Sequence, residues 1–164
     1  MKKKRTSTTP AREMLVKQGD IFPEINLSSI IAMLQVLEAS SEIQHAIFDI
    51  LERDYQLSEG KLRVMIILFQ AVDGMAPSQL AERAGVTRAT ISAMLHRMTR
   101  DGLTYSFADA SDGRTKKVCL TEKGRGFMGE VLPGHHQRIT KLMGRLSEEE
   151  QEKLISLLKK IVDE

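Results

Sequence analysis

Between Ser78 and Met98 the chain reads Ser-Gln-Leu-Ala-Glu-Arg-Ala-Gly-Val-Thr-Arg-Ala-Thr-Ile-Ser-Ala-Met-Leu-His-Arg-Met, and this segment constrains the fold more than any other. Pro77 suits the first turn of a short helix, and Gly85 suits the left-handed position that ends one. Thr87 is then a hydroxyl N-cap for a second helix, which the pattern carries to about Asp101 before Gly102 stops it. On that second helix Ile91, Leu95 and Met98 share one side. Arg88, Ala89, Thr90, Ala93 and Arg97 point the other way. Two helices joined by a turn this tight can lay the second in a DNA major groove while its apolar side is held by the protein.

The residues that follow complete a recognisable order. Leu103–Phe107 and Thr115–Leu120 have strand character, and Asp109-Ala-Ser-Asp-Gly-Arg114 between them supplies turn residues. A helix pair followed at once by a β-hairpin is a winged helix-turn-helix. Upstream, Ser58 is a natural N-cap for a helix through Leu62–Phe69. The β-branched content there also fits a strand, but the cap and the run on to Ala71 favour helix.

Longer helices are expected at both ends. From Asn26 to Tyr55 apolar residues recur at helical spacing (Leu27, Ile30, Ile31, Leu34, Leu37, Ile43, Ile47, Ile50, Leu51) with no Pro or Gly. Such a helix is about 45 Å long and offers a wide apolar face to a partner. Thr121 caps another helix, which Pro133-Gly134 is placed to bend. Ser147-Glu-Glu-Glu150 is a capping box for a last helix carrying Leu154, Ile155, Leu157, Leu158, Ile161 and Val162.

Composition narrows the class. At 164 residues the chain is long enough for one core without staples, and with 4% aromatics and no Trp that core is built of Leu, Ile, Val and Met. One cysteine cannot form an internal disulfide, and no apolar run reaches the length of a membrane span, so a cytoplasmic protein with no membrane partner is expected. The net charge of +2 conceals a segregation: residues 1–17 hold six Lys/Arg against one acid, and residues 79–125 hold nine against five. Positive charge is thus concentrated where a phosphate backbone would be met.

Seven short motifs in this order resemble the MarR family (multiple-antibiotic-resistance regulators) of bacterial transcription factors. They are Leu80-Ala-Glu82, Gly85-Val-Thr-Arg88, Arg97-Met98, Asp101-Gly-Leu103, Asp112-Gly-Arg114, Leu120-Thr-Glu-Lys-Gly124 and Leu146-Ser-Glu-Glu-Glu150. The resemblance runs from about Leu57 to Glu164, and more loosely back to Asn26. It implies a mainly α fold with a small β-hairpin wing (α+β), its winged helix-turn-helix core flanked by N- and C-terminal dimerisation helices. On that basis residues 1–22 form a basic flexible arm, 23–56 and 122–164 the helical dimerisation region, and 57–121 the DNA-binding region, all in one compact domain. The resemblance also implies a homodimer on a pseudo-palindromic double-stranded DNA operator, usually a repressor, released or retuned by a small-molecule effector, an oxidant or a metal.

The expected DNA-binding residues are Ser78, Gln79, Thr87, Arg88, Ala89, Thr90, Ala93, Arg97, Arg114 and Lys116. Arg88 can take guanine O6 and N7 with parallel bonds or clamp a phosphate, and Ala89 or Ala93 can touch a thymine methyl. Ser78 and Gln79 sit at a helix N-terminus suited to phosphate. The resemblance places Arg114, at the hairpin tip, in a minor groove beside the site. Lys116 and Lys117 alternate along a strand, so one of them faces phosphate. The arm Lys2–Arg5 either tracks neighbouring phosphates or serves as a solubilising tail.

Cys119, between Val118 and Leu120, reads as a structural thiol, and His96 as touching phosphate or solvent. His135 and His136 are adjacent and therefore on different helix faces, leaving a zinc site only through His45 and tertiary contacts. The nine methionines either line an adaptable pocket, near the helix of Arg63 and Met65, or fill the core. No nucleophile–base pair, phosphate-cradling loop or paired carboxylate is present, so no enzyme, cofactor or metal is expected. The competing functions are a winged-helix protein–protein adaptor and a metal or thiol sensor on the same fold.

Overall fold

A computed structural model describes residues 26–108 and 116–162. The basic arm and the hairpin tip, with Asp112 and Arg114, lie outside the described residues. Among the described residues six helices and two strands follow in the order α1 (Leu27–Tyr55), α2 (Glu59–Gln70), α3 (Pro77–Ala84), α4 (Arg88–Arg100), β1 (Thr104–Ala108), β2 (Lys116–Leu120), α5 (Glu122–Met143) and α6 (Glu148–Val162). The protein is mainly helical with one antiparallel two-stranded wing, as the pattern of caps and apolar spacing predicts.

The chain divides into two compact units, Met1–Ile50 and Leu51–Glu164. In the first, the described part is helix α1 from Leu27 onward, which leaves Met33, Val36, Leu37 and Ile43 exposed.

The second unit contains the core. Its helix α2 is a helix and not a strand: Ser58 accepts a hydrogen bond from the Lys61 N–H, and Leu62, Val64, Met65 and Leu68 are buried. It packs against α3, β2 and α5. Leu57, Leu80, Ile91, Met98, Met128 and Val131 complete the interior. Four methionines (Met65, Met75, Met98 and Met128) are core residues. Tyr55 and Phe127 meet edge to face with centroids 6.1 Å apart.

The wing has a fixed register, Thr104 opposite Leu120 through Ala108 opposite Lys116. Sequence reasoning missed a further bridge on the other side of β2: Met75, just before α3, exchanges both backbone hydrogen bonds with Val118 at 3.0 and 2.9 Å. That bridge ties the start of α3 to the returning strand. Helix α5 runs through Pro133 as a single element. The capping box at α6 forms in both directions, Glu150 N–H to Ser147 Oγ at 3.2 Å and Ser147 N–H to Glu150 Oε2 at 2.8 Å. No residue of α6 is buried, and Leu154, Ile155, Leu157, Leu158, Ile161 and Val162 are all exposed.

Candidate nucleic-acid interface

Helices α3 and α4 are joined by Gly85 at φ 67°, ψ 36°, a left-handed conformation that glycine adopts without a Cβ penalty. The Val86 N–H returns to the Ala81 carbonyl at 3.0 Å, which closes the turn. Thr87 then caps α4: its Oγ1 accepts the Thr90 N–H at 3.1 Å and lies 2.9 Å from the Thr90 hydroxyl. The apolar side of α4 is anchored by Ile91, Leu95 and Met98, all buried. Burying those three side chains fixes which residues face outward.

Arg88, Ala89, Thr90, Ala93 and Arg97 are all exposed, as the helical spacing requires. The whole helix carries three arginines and no acid, so its outward side is positive. Arg97 does not project freely, because its Nε donates to the Ala93 carbonyl at 3.2 Å. Arg100 leans toward Asp101, with Nη2 and Oδ1 3.4 Å apart.

Ser78 and Gln79 are exposed in the first turn of α3. The cap position there is Ala76, which offers no side-chain acceptor to the helix N–H groups. Tertiary packing brings Ser78 and Gln79 beside Thr87 and Arg88, around one groove of about 540 Å³. A second groove, about 380 Å³, collects Ser78, Arg88 and Lys116 from three elements, together with Ser92 and Ser106. Lys116 is exposed and Lys117 half-buried. Thr90 and Arg97 instead border a cleft of about 570 Å³ with Lys61, Met94 and Asp101. The predicted residues thus fall on one helix face and both its flanks; Arg114 lies outside the described residues.

Ser92 and Ser106 were missed by sequence reasoning. Ser92 follows Arg88 by one helical turn, which was a usable signal. Ser106 faces this groove only because β1 pairs with β2 in the observed register.

Other chemistry is sparse. Cys119 is 3% exposed, and its Sγ donates to the Val72 carbonyl at 3.5 Å. His135 is buried and His136 exposed, with ring centroids 6.0 Å apart. Burial and the nearby Arg138 and His136 charges hold the His135 pKa below its ordinary value. Among the described residues no three His, Cys, Asp or Glu side chains gather closely enough to hold a metal ion. Nor is any described helix long and apolar enough to cross a membrane.

This geometry has counterparts. The MarR family model matches residues 57–116, the segment from the residue before the α2 cap to the first residue of β2. Transcriptional regulator HosA of Escherichia coli O157:H7 is 36% identical over 90 residues, covering 55% of this chain and 67% of that protein. The chain belongs to the MarR family. It is a DNA-binding transcriptional regulator on a winged helix-turn-helix fold. HTH-type transcriptional repressor YetL of Bacillus subtilis is 29% identical over 153 residues, covering 91% of this chain and 89% of its own. The S. aureus MepR–DNA complex superposes with a TM-score of 0.67 at 25% identity, covering 85% of this chain and 98% of that one. For a MarR family member the positive side of α4 is the surface of first interest, and these relatives are regulators, not enzymes.

Proposed function

We propose that this MarR family protein acts as a homodimer that represses transcription from a pseudo-palindromic operator and is released or retuned by a small-molecule effector. One observation carries the DNA part of this reading: the acid-free outward side of α4, with Arg88 and Arg97, stands next to Ser78 and Lys116. Ser78, Gln79, Thr87, Arg88, Thr90, Arg97 and Lys116 hold phosphate or base edges, and Ala89 and Ala93 admit thymine methyls. Arg114, outside the described residues, is assigned by the sequence resemblance to the minor groove beside the site. A family member solved with DNA and another named as a repressor support the same reading.

Dimerisation is supported by unspent apolar surface. Helix α6 buries none of its residues, and α1 leaves Met33, Val36, Leu37 and Ile43 exposed. Contiguous exposed apolar faces of this kind mark an interface, and a two-fold interface would present two copies of α4 one DNA turn apart. In this arrangement residues 23–56 and 122–164 dimerise, 57–121 bind DNA, and the protein works in the cytoplasm without enzymatic activity.

The test is retardation of the DNA upstream of the protein's own gene by the intact protein, titrated at several salt concentrations. Binding with half-sites about one helical turn apart, falling steeply with salt and weakened by Arg88→Ala, is expected. Absence of salt-dependent binding would leave the fold as a protein–protein adaptor.

A further inference from the structure

Resting on the sequence-specific reading above, we infer that His96 reads a base in the major groove and sets specificity at one base pair of each half-site. A helix lying in that groove presents residues at i, i+3, i+4 and i+7 to base edges. On α4 the outward residues with this spacing are Ala89, Ser92, Ala93 and His96, all exposed. Three of the four are too short to reach far. Side chains on a helix lean toward its N-terminus, so the His96 ring is directed over Ser92 and Ala93, both short.

The longer polar neighbours serve other parts of the interface. Arg97 bends back along its helix, its Nε donating to the Ala93 carbonyl at 3.2 Å, which directs its remaining donors to phosphate rather than to this position. Arg100 is drawn to Asp101. Thr87 and Thr90 are 2.9 Å apart and bonded to each other. Arg88 stands a full two turns earlier, in the grooves beside α3 and the wing. His96 makes no hydrogen bond or ion pair with any described residue. Its imidazole carries an N–H donor in either tautomer, and guanine presents two acceptors, O6 and N7, on its major-groove edge. Guanine, with two such acceptors against one each on adenine and thymine, is the base assigned to this contact.

The experiment enriches duplexes from a randomised library with the full-length protein, then compares wild type, His96→Ala and His96→Gln on the enriched site and its single-base variants. Loss of the imidazole should lower discrimination at one base pair per half-site about tenfold, and Gln should shift the preference there toward adenine. Preferences at other positions and the salt dependence should stay as in wild type. An unchanged profile overturns the inference. So does uniform weakening on all sequences with a shallower salt dependence, the mark of a phosphate contact. If the wild-type protein itself enriches no sequence, the sequence-specific reading falls, and the role of His96 falls with it.

Discussion

Arg63 of α2 donates from Nη1 to the Ala84 carbonyl, 3.2 Å away, at the C-terminal end of α3. That carbonyl belongs to the last turn of the helix, where backbone acceptors lack intrahelical partners and a cation meets the negative end of the dipole. Glu59, one turn before Arg63, holds the same guanidinium at 2.6 Å. The turn leading into α4 is therefore fixed from α2. Arg63→Ala should cost about 1 kcal/mol, since the group is half exposed and the ion pair adds little. Urea unfolding of the variant checks this, and an unchanged midpoint would show that the bond is not felt.

Gly124 lies where α5 crosses the loop after α4. A Cβ there would overlap the Leu103 carbonyl oxygen and come within 3.1 Å of its carbon. That oxygen already accepts the Thr121 N–H at 3.0 Å, and Thr121 Oγ1 donates to the Gly102 carbonyl at 2.7 Å. Backbone would have to move, so Gly124→Ala should destabilise by roughly 2–4 kcal/mol. Gly126, with nothing within 4 Å of its added Cβ, is the internal control. There Ala should stabilise by about 0.5–1 kcal/mol through helix propensity. Similar unfolding curves for the two variants would contradict this account.

Thr87 serves both the helix and the proposed interface. Thr87→Ala removes the acceptor of the Thr90 N–H and should cost about 1 kcal/mol. Thr87→Asp keeps an acceptor at the cap, with a charge favourable to the helix N-terminus, but sets a carboxylate against phosphate. Its stability should stay close to wild type while DNA affinity collapses. Unfolding and DNA titration on the same samples separate the effects; retained DNA binding by the Asp variant would remove this end of α4 from the interface.

His135 links stability to pH. Its pKa is lowered from 6.5 by burial first, then by the Arg138 and His136 charges. The unfolded chain therefore binds a proton at a pH where the folded one does not, and the folded state loses stability as pH falls. The contribution is complete above the unfolded value near 6.5 and declines below it until the folded group also protonates. Denaturation midpoints should fall between pH 7.5 and pH 5.5, and His135→Gln should flatten that fall. A variant with the wild-type pH slope would assign the effect to other groups.

The helix-turn-helix was legible because its signals are local. Ser58, Thr87 and Thr121 cap the helices they precede, Gly85 ends α3, and the period of Ile91, Leu95 and Met98 fixes which side of α4 turns outward. The wing was legible in the same way, from strand character on either side of the Asp109–Arg114 turn residues, and the resemblance added the expectation of a dimer and an operator. Less was visible where chemistry depends on long-range pairing. The Met75–Val118 bridge joins residues more than forty apart, and nothing local to Met75 announces it. A pocket is expected near the helix of Arg63 and Met65, but no local signal shows that the Arg63 guanidinium caps α3 or that Ser58 and Lys61 share a cleft with Met94.

Capping, breaking and helical period act within a few residues, so the sequence by itself determined the elements, their order and the outward set on α4. The convergence of Ser78, Arg88, Ser92, Ser106 and Lys116 around one groove was decided only by the tertiary structure. So was the division of labour on α4, with Arg97 folded back onto its helix and His96 making no hydrogen bond or ion pair among the described residues. Those outcomes depend on strand register and on which partner each long side chain finds. Both are set by packing between segments far apart in the chain, which no local pattern encodes.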